Sequence, residues 1–336
     1  MNPLFSIIIP IYNGLSHGLP KCLDSIWNQP LDGSLYEVIC IDDCSTDQTR
    51  TWLQEQKKEH SNLRVICNEE NLRQGGSRNK GIRAAQGKYI VFIDQDDYYH
   101  HDAIARIYEH LKDSDLQILI VDCAYQYFGK ESNKIQHNFP NQEVMTGDQI
   151  IASNSIPYAP WKFIIEREFI IEYNLFFIEH ERIEDVDWVH KVVHYADRVQ
   201  YQPILFIHYN KYPESTTMSS FFSKEVVYSG LRMANRLRLL VNDFEDKECQ
   251  SYLKWLTNQN YYIYLRACFF VIDKIKIKAN NIEESIHPFH EKVNYSLLLK
   301  FATHNPVLFA TATNCCSPIA RRLMLLYRKI KNSACN

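Results

Sequence analysis

Short apolar runs recur through the first hundred residues, each followed by a polar stretch with helical spacing. The runs are 5–10 (FSIIIP), 36–41 (YEVICI), 63–67 (LRVIC) and 89–93 (YIVFI). A strand buried on both faces, as in a parallel sheet, reads this way. Helical patterns fill the gaps at 20–28, at 48–59 behind Asp47 as a cap candidate, and at 76–85 before Gly87 as a C-terminal breaker. This β-α-β-α order predicts an α/β fold with a doubly wound, mostly parallel sheet. Such sheets bind ligands beyond the carboxyl ends of their strands, at a topological switch point. Three strands end in polar segments there: 10–13 (PIYN), 42–45 (DDCS) and 94–97 (DQDD).

Glycine use divides the chain. Nine of the ten glycines fall at or before Gly147, and the tenth is Gly230. From about residue 221 helix-favouring stretches take over, punctuated by Pro288, Pro306 and Pro318. The expected organisation is an α/β domain over 1–218 and a helical C-terminal extension over 219–336.

Charge and cysteine content narrow the function classes. Lys plus Arg is 37 against 40 for Asp plus Glu, a net charge of −3. No overall basic field draws such a chain onto nucleic acid, so no nucleic-acid partner is expected. The ten cysteines form no CxxC pair, and no His cluster offers zinc-ligand spacing in the sequence. No apolar run reaches the ~20 residues that span a bilayer. A reduced, cytoplasmic protein is expected, in solution or peripheral to a membrane.

Four segments carry candidate chemistry. Asp94 and Asp96 follow an apolar strand, and strand alternation would put them on one side as hard-oxygen ligands for Mg²⁺ or Mn²⁺. The bland reading makes them caps of a helix starting near His101. Asp42, Asp43, Ser45 and Asp47 suit capping too, but a cap uses one carboxylate and leaves another for a ligand. In 71–81 (NLRQGGSRNKG), paired glycines suit close approach to a phosphate, with Arg73 and Arg78 supplying charge. In 181–188 (ERIEDVDW) an acid facing the metal site would serve as a general base.

Taken in order, these segments resemble the family 2 glycosyltransferases, which have the nucleotide-diphospho-sugar transferase (GT-A) fold. The resemblance covers roughly 4–218, through 6–13 (SIIIPIYN), the DDxSxD-like 42–47, the RNxG-containing 71–81, the DxD-like 92–97 and the ED-like 183–188. It implies that Pro10 and Tyr12 flank the nucleobase and that Asp43 accepts a hydrogen bond from it. Arg78 would meet the ribose or phosphate side, Asp96 would bind the metal, and Asp94 would touch the ribose or complete the metal shell, with Gln95 beside them on the donor side. Asp185 would be the base, in competition with Glu184 and Asp187, and a single displacement implies inversion.

Weaker likenesses follow. Trp161 in 159–162 (APWK) is similar to acceptor-side residues of the family, with core packing as the rival reading. His208 and Lys211 in 208–217 (HYNKYPESTT) resemble a loop folding over the donor. The basic stretch 320–331 is a candidate for contact with an anionic membrane surface. The expected partners are a nucleotide-diphospho-sugar, UDP-linked, and a glycan or lipid-linked acceptor at the inner face of a membrane. The rival is a non-catalytic binding module on the same fold.

Overall fold

The computed structural model describes residues 2–127, 130–135, 139, 142–153, 156–211 and 223–271. The loop 212–217, the Lys211 side chain, Pro288, Pro306, Pro318 and the stretch 320–331 lie outside them. The chain divides into two compact units, one of Met1–Ser219 with Leu240–Tyr252, the other of Ser220–Leu239 with the residues from Leu253 onward.

The first unit is built on a nine-stranded sheet. Its strands are β1 (Phe5–Ile11), β2 (Tyr36–Asp42), β3 (Leu63–Cys67), β4 (Tyr89–Phe92), β5 (Tyr98–Tyr99), β6 (Ile118–Tyr127), β7 (Lys130–Ile135), β8 (Phe163–Glu166) and β9 (Val199–Lys211). The order is β3-β2-β1-β4-β8-β6-β9-β5, with β7 paired to β6. The β3-β2-β1-β4 half is parallel throughout, as the apolar runs predict. β8 enters antiparallel between β4 and β6, while β6 and β9 run parallel. The sheet is therefore mixed, its antiparallel part combining the β6–β7 hairpin with β8 and β5, which pair with strands distant in sequence.

Every residue of β1, β2 and β4 is buried. Pro10 is tolerated in β1 because the β1–β4 register ends at Ile8↔Phe92, so its missing N–H costs no ladder bond on that edge. Among the described residues, the helices that flank or follow the strands of this unit are α1 (Leu19–Trp27), α2 (Thr49–Glu59), α3 (Arg73–Ala84), α4 (Ala103–Leu111), α5 (Gly147–Ala152), α6 (Arg167–Glu172) and α7 (Asp185–His194).

Two expectations need correction. Helix α3 begins at Arg73 rather than 76, so Gly75 and Gly76 lie inside its first turn. Gly87 does not end it through a left-handed conformation; a Cβ there would stand 2.7 Å from the Ser6 nitrogen, so glycine is needed for close approach to β1. In the second unit α8 (Lys224–Leu240) lies against the C-terminal part of α9 (Lys247–Val271), where a Cβ at Gly230 would stand 2.4 Å from the Tyr264 ring. Among the described residues no helix is long and apolar enough to cross a membrane.

Candidate active site

A cleft of about 540 Å³ opens beyond the carboxyl ends of β1, β2 and β4. From β1 the chain passes to β2 on one side and later to β4 on the other, which makes this the switch point. Pro10, Tyr12, Asp43, Gln95, Asp96 and Glu184 all line it. Residues separated by more than 170 positions thus share one cavity. The loops below it are backbone-strained: Asn13, Cys44 and Arg73 hold positive φ of 51°, 65° and 61°.

The segment after β4 does not alternate as a strand, because β4 stops at Phe92 and Asp97 N–H donates to the Asp94 carbonyl, closing a turn. Asp94 is held by Arg78 at 2.8 Å. Asp96 lines the cleft; burial, reinforced by the charge of Asp94, pushes its carboxyl up to about 6. Asp97 is fully buried and accepts from Asn210 N–H at 2.8 Å, which ties the turn to β9. None of the three caps α4, whose N-cap is Asp102.

Two features of this turn escaped the sequence. The Gln95 amide makes a two-way bridge to the Tyr12 backbone, accepting from its N–H at 2.9 Å and donating to its carbonyl at 3.0 Å. Gly18, at φ +96°, lets the start of α1 lie against the Asp96 backbone, where a Cβ would meet the Asp96 Cα at 3.3 Å.

Arg78 was expected to face the donor, and the structure corrects this. Its side chain is 2% exposed, it is not among the cleft-lining residues, and its guanidinium bridges Asp94 and Glu184, the latter at 2.7 Å. The two acidic loops are therefore clamped together from beneath. The cleft's own arginines are Arg73 and Arg182, close enough that Arg73 adds to the desolvation lowering Arg182's pKa. Arg182 is a lining residue that the sequence reading passed over.

At the head of α7, Glu184 is the N-cap and Asp185 the first helical residue. Burial raises both carboxyls above the ordinary range, against the pull of Arg78. Glu184 lines the cleft but is committed to Arg78, whereas Asp185 is half-buried and accepts from Val186 N–H at 2.9 Å; Asp185, like Asp94, is not itself among the cleft-lining residues. Asp187 is buried in the same turn.

The aspartates after β2 separate by role. Asp42 pairs with Arg50 at 2.9 Å, and Asp47 accepts from Thr49 N–H at the start of α2. Asp43 uses Oδ1 for both Asn68 and Leu72 N–H, at 2.6 and 2.8 Å, while the residue lines the cleft. Gly75 and Gly76 serve packing rather than a phosphate: a Cβ at Gly75 would stand 2.6 Å from the Ile178 carbonyl. Trp161 is 6% exposed and stacks on Tyr209, which makes it a core residue, not an acceptor platform. His208 stacks on Tyr98 and bonds to His100 at 3.1 Å, and it is not among the cleft-lining residues.

The family model for glycosyl transferase family 2 matches residues 6–174, half of the chain. The chain belongs to this family. Among relatives of this glycosyltransferase, a poly(ribitol-phosphate) beta-glucosyltransferase of Bacillus spizizenii is 40% identical over 118 residues, covering 34% of this chain and 18% of the relative. The uncharacterized glycosyltransferase EpsJ of Bacillus subtilis is 30% identical over 228 residues, covering 65% of this chain and 64% of EpsJ. The match thus spans less than two thirds of the length of either relative. The fold is that of Staphylococcus aureus TarS 1–349, solved in complex with UDP-GlcNAc, at a TM-score of 0.60 and 21% identity over 84% of this glycosyltransferase and 78% of TarS 1–349. A mannosyltransferase of Pyrobaculum calidifontis, solved with GDP-Man and Mn²⁺, also matches, at TM-score 0.54 and 14% identity over 94% of this chain and 88% of that one. At these identities the likeness concerns the fold.

Proposed function

We propose that this glycosyltransferase is metal-dependent and inverting, and moves a sugar from a UDP-sugar to an acceptor hydroxyl during synthesis of a surface polysaccharide. What supports this reading is the clamp of Arg78 between Asp94 and Glu184, which holds the turn after β4 and the head of α7 together beside the cleft that Asp96 and Glu184 line. Donor handling belongs to the domain 1–218, which holds every residue lining the cleft.

Asp96 fits a hard divalent cation. It is a cleft-lining carboxylate with Asp94 beside it, and the guanidinium nearest that loop is already spent on Asp94 and Glu184. Asp96 and Asp94 would hold Mg²⁺ or Mn²⁺, which when bound supplies positive charge against the departing diphosphate. The protein's own groups do the rest. Pro10 and Tyr12 flank the base, and Asp43, with Oδ1 already engaged, offers Oδ2 to a ring N–H. Arg73 and Arg182 meet the phosphates. Asp185 takes the acceptor hydroxyl proton as that oxygen bonds to the anomeric carbon and the bond to the diphosphate breaks, so the configuration inverts.

The test is transfer from UDP-glucose, UDP-GlcNAc and GDP-mannose, each with Mn²⁺, Mg²⁺ or chelator, repeated for Asp96→Ala. The expected outcome is turnover of a UDP-sugar that chelator and Asp96→Ala both abolish. Undiminished turnover by Asp96→Ala in chelator overturns the metal role. Donor binding without turnover under every condition assigns the chain to the non-catalytic reading instead.

A further inference from the structure

At the junction between β5 and α4, His100, His101 and Asp102 bring two imidazole nitrogens and a carboxylate oxygen within 4.8 Å of one another. None of the three lines the donor cleft. The arrangement is more organised than a solvated polar turn. His100 Nδ1 bonds to His208 Nε2 on β9 at 3.1 Å, which fixes the ring and leaves Nε2 directed at Asp102 Oδ1, 3.9 Å away. That oxygen is shut off from solvent and accepts no hydrogen bond among the described residues. The His100 backbone is itself anchored, its carbonyl accepting from the Gln29 amide at 2.7 Å. His101 packs edge-on to His100 at 4.5 Å, with its Nε2 4.0 Å from the other Asp102 oxygen.

We propose that His100, His101 and Asp102 form a second cation site, for a borderline transition metal such as Zn²⁺. Imidazole and carboxylate are its customary ligands at roughly 2.0–2.2 Å, which sets tetrahedral ligand atoms roughly 3.4 Å apart. The His100–Asp102 gap is close to that spacing, and rotation of the exposed His101 ring closes the remainder. An imidazole whose other nitrogen is held by an outer partner is the usual form of a metal-bound histidine, and His208 is that partner here. The dipole at the start of α4 opposes a cation, and the Asp102 carboxylate reverses the local field. A water completes the coordination. Sequence spacing hid the site, because the three ligands are consecutive in the chain and the supporting imidazole arrives 108 residues later, beside β5. Bound metal would pin α4 to β9.

The experiment separates this site from the donor cation by placing the full chain in an Asp94→Asn, Asp96→Asn background. After chelator treatment, Co²⁺ is followed by its visible absorption and Zn²⁺ by calorimetry. The expected result is one equivalent of metal with the intense Co²⁺ bands of four-coordinate geometry. Affinity should fall at least ~10-fold in His101→Ala and in Asp102→Asn, and by ~10–100-fold in His208→Gln, the outer partner. Far-ultraviolet dichroism of His101→Ala, an exposed position, controls for folding. Zn²⁺ affinity unchanged by His101→Ala, or no binding in the background chain, overturns the site, and neither outcome touches the donor-cation reading.

Discussion

At Arg78 two ion pairs converge on one buried guanidinium, and this residue bears on stability and, through the proposed site, on catalysis. The side chain is 2% exposed and its partners Asp94 and Glu184 are 18% and 4% exposed. Removing one member of such a group leaves uncompensated charge in a poorly solvated place. Arg78→Met should lower unfolding free energy by about 3–5 kcal/mol, read as a lower urea midpoint at unchanged m-value. Arg78→Lys keeps the charge but not the fork, so it should recover part of that stability while kcat stays depressed. Equal kcat in Arg78→Lys and the parent would show that the clamp does not position the acids. Asp185 makes a separate prediction. Burial pushes its carboxyl up to about 6, and a base works only when deprotonated. The acid limb of kcat/KM should lie near pH 6, and Asp185→Asn should cost roughly 10²–10⁴-fold in kcat while donor affinity is kept. Glu184→Gln, not Asp185→Asn, removing that limb would transfer the role to Glu184. The sequence made the acids legible, since Asp43, Asp94 and Asp96 stand in strand-end motifs, but it could not show that Arg78 turns toward Asp94 and Glu184. That choice depends on a residue 106 positions away.

The elements were legible where their cause was local. The apolar runs of β1 to β4 lie within a residue or so of the observed strands, because burial on both faces writes itself directly into composition. The placement of β8 between β4 and β6 was not legible, since register such as Ile90↔Ile165 is settled by pairing between distant strands. The same holds for Gly75, which looked like a phosphate-facing turn and instead lets α3 pack under the Ile178 carbonyl. Gly18 is the glycine whose replacement best tests how elements set the site. It caps α1 with a left-handed φ of +96° and lies against the backbone of Asp96. Gly18→Ala pays about 1–3 kcal/mol for that conformation, and its methyl also presses on the turn proposed to hold the metal. The expected result is a lower thermal midpoint together with a raised KM for the metal-donor complex. A lower midpoint with unchanged KM would mean that α1 and the turn are not coupled.

The stability of the folded molecule carries a further pH dependence, set by a residue with no part in the proposed chemistry. His190 of α7 is fully buried between the Tyr158 and Tyr252 rings, each centred 5.8 Å away. Its Nδ1–H donates to the Val186 carbonyl at 2.6 Å, and Nε2 lies 3.4 Å from the Tyr252 hydroxyl. Both nitrogens are thus accommodated with the ring neutral, and burial pushes its pKa down to about 4. In the unfolded chain the same imidazole titrates near ~6.5, so between the two values the unfolded state binds the extra proton. The associated stability is complete above pH ~6.5 and declines as pH falls, the loss reaching about 3 kcal/mol at the bottom of that window. Cooperative unfolding spreads this local cost to every element of the unit. Urea midpoints for the parent and for His190→Gln, which hydrogen-bonds but does not titrate, isolate the effect from the carboxylates. The parent's advantage should be flat from pH 8 to 6.5 and shrink steadily toward pH 4. A difference constant across that range would mean that the folded state accepts the charged imidazole, and that α7 opens at His190 without unfolding.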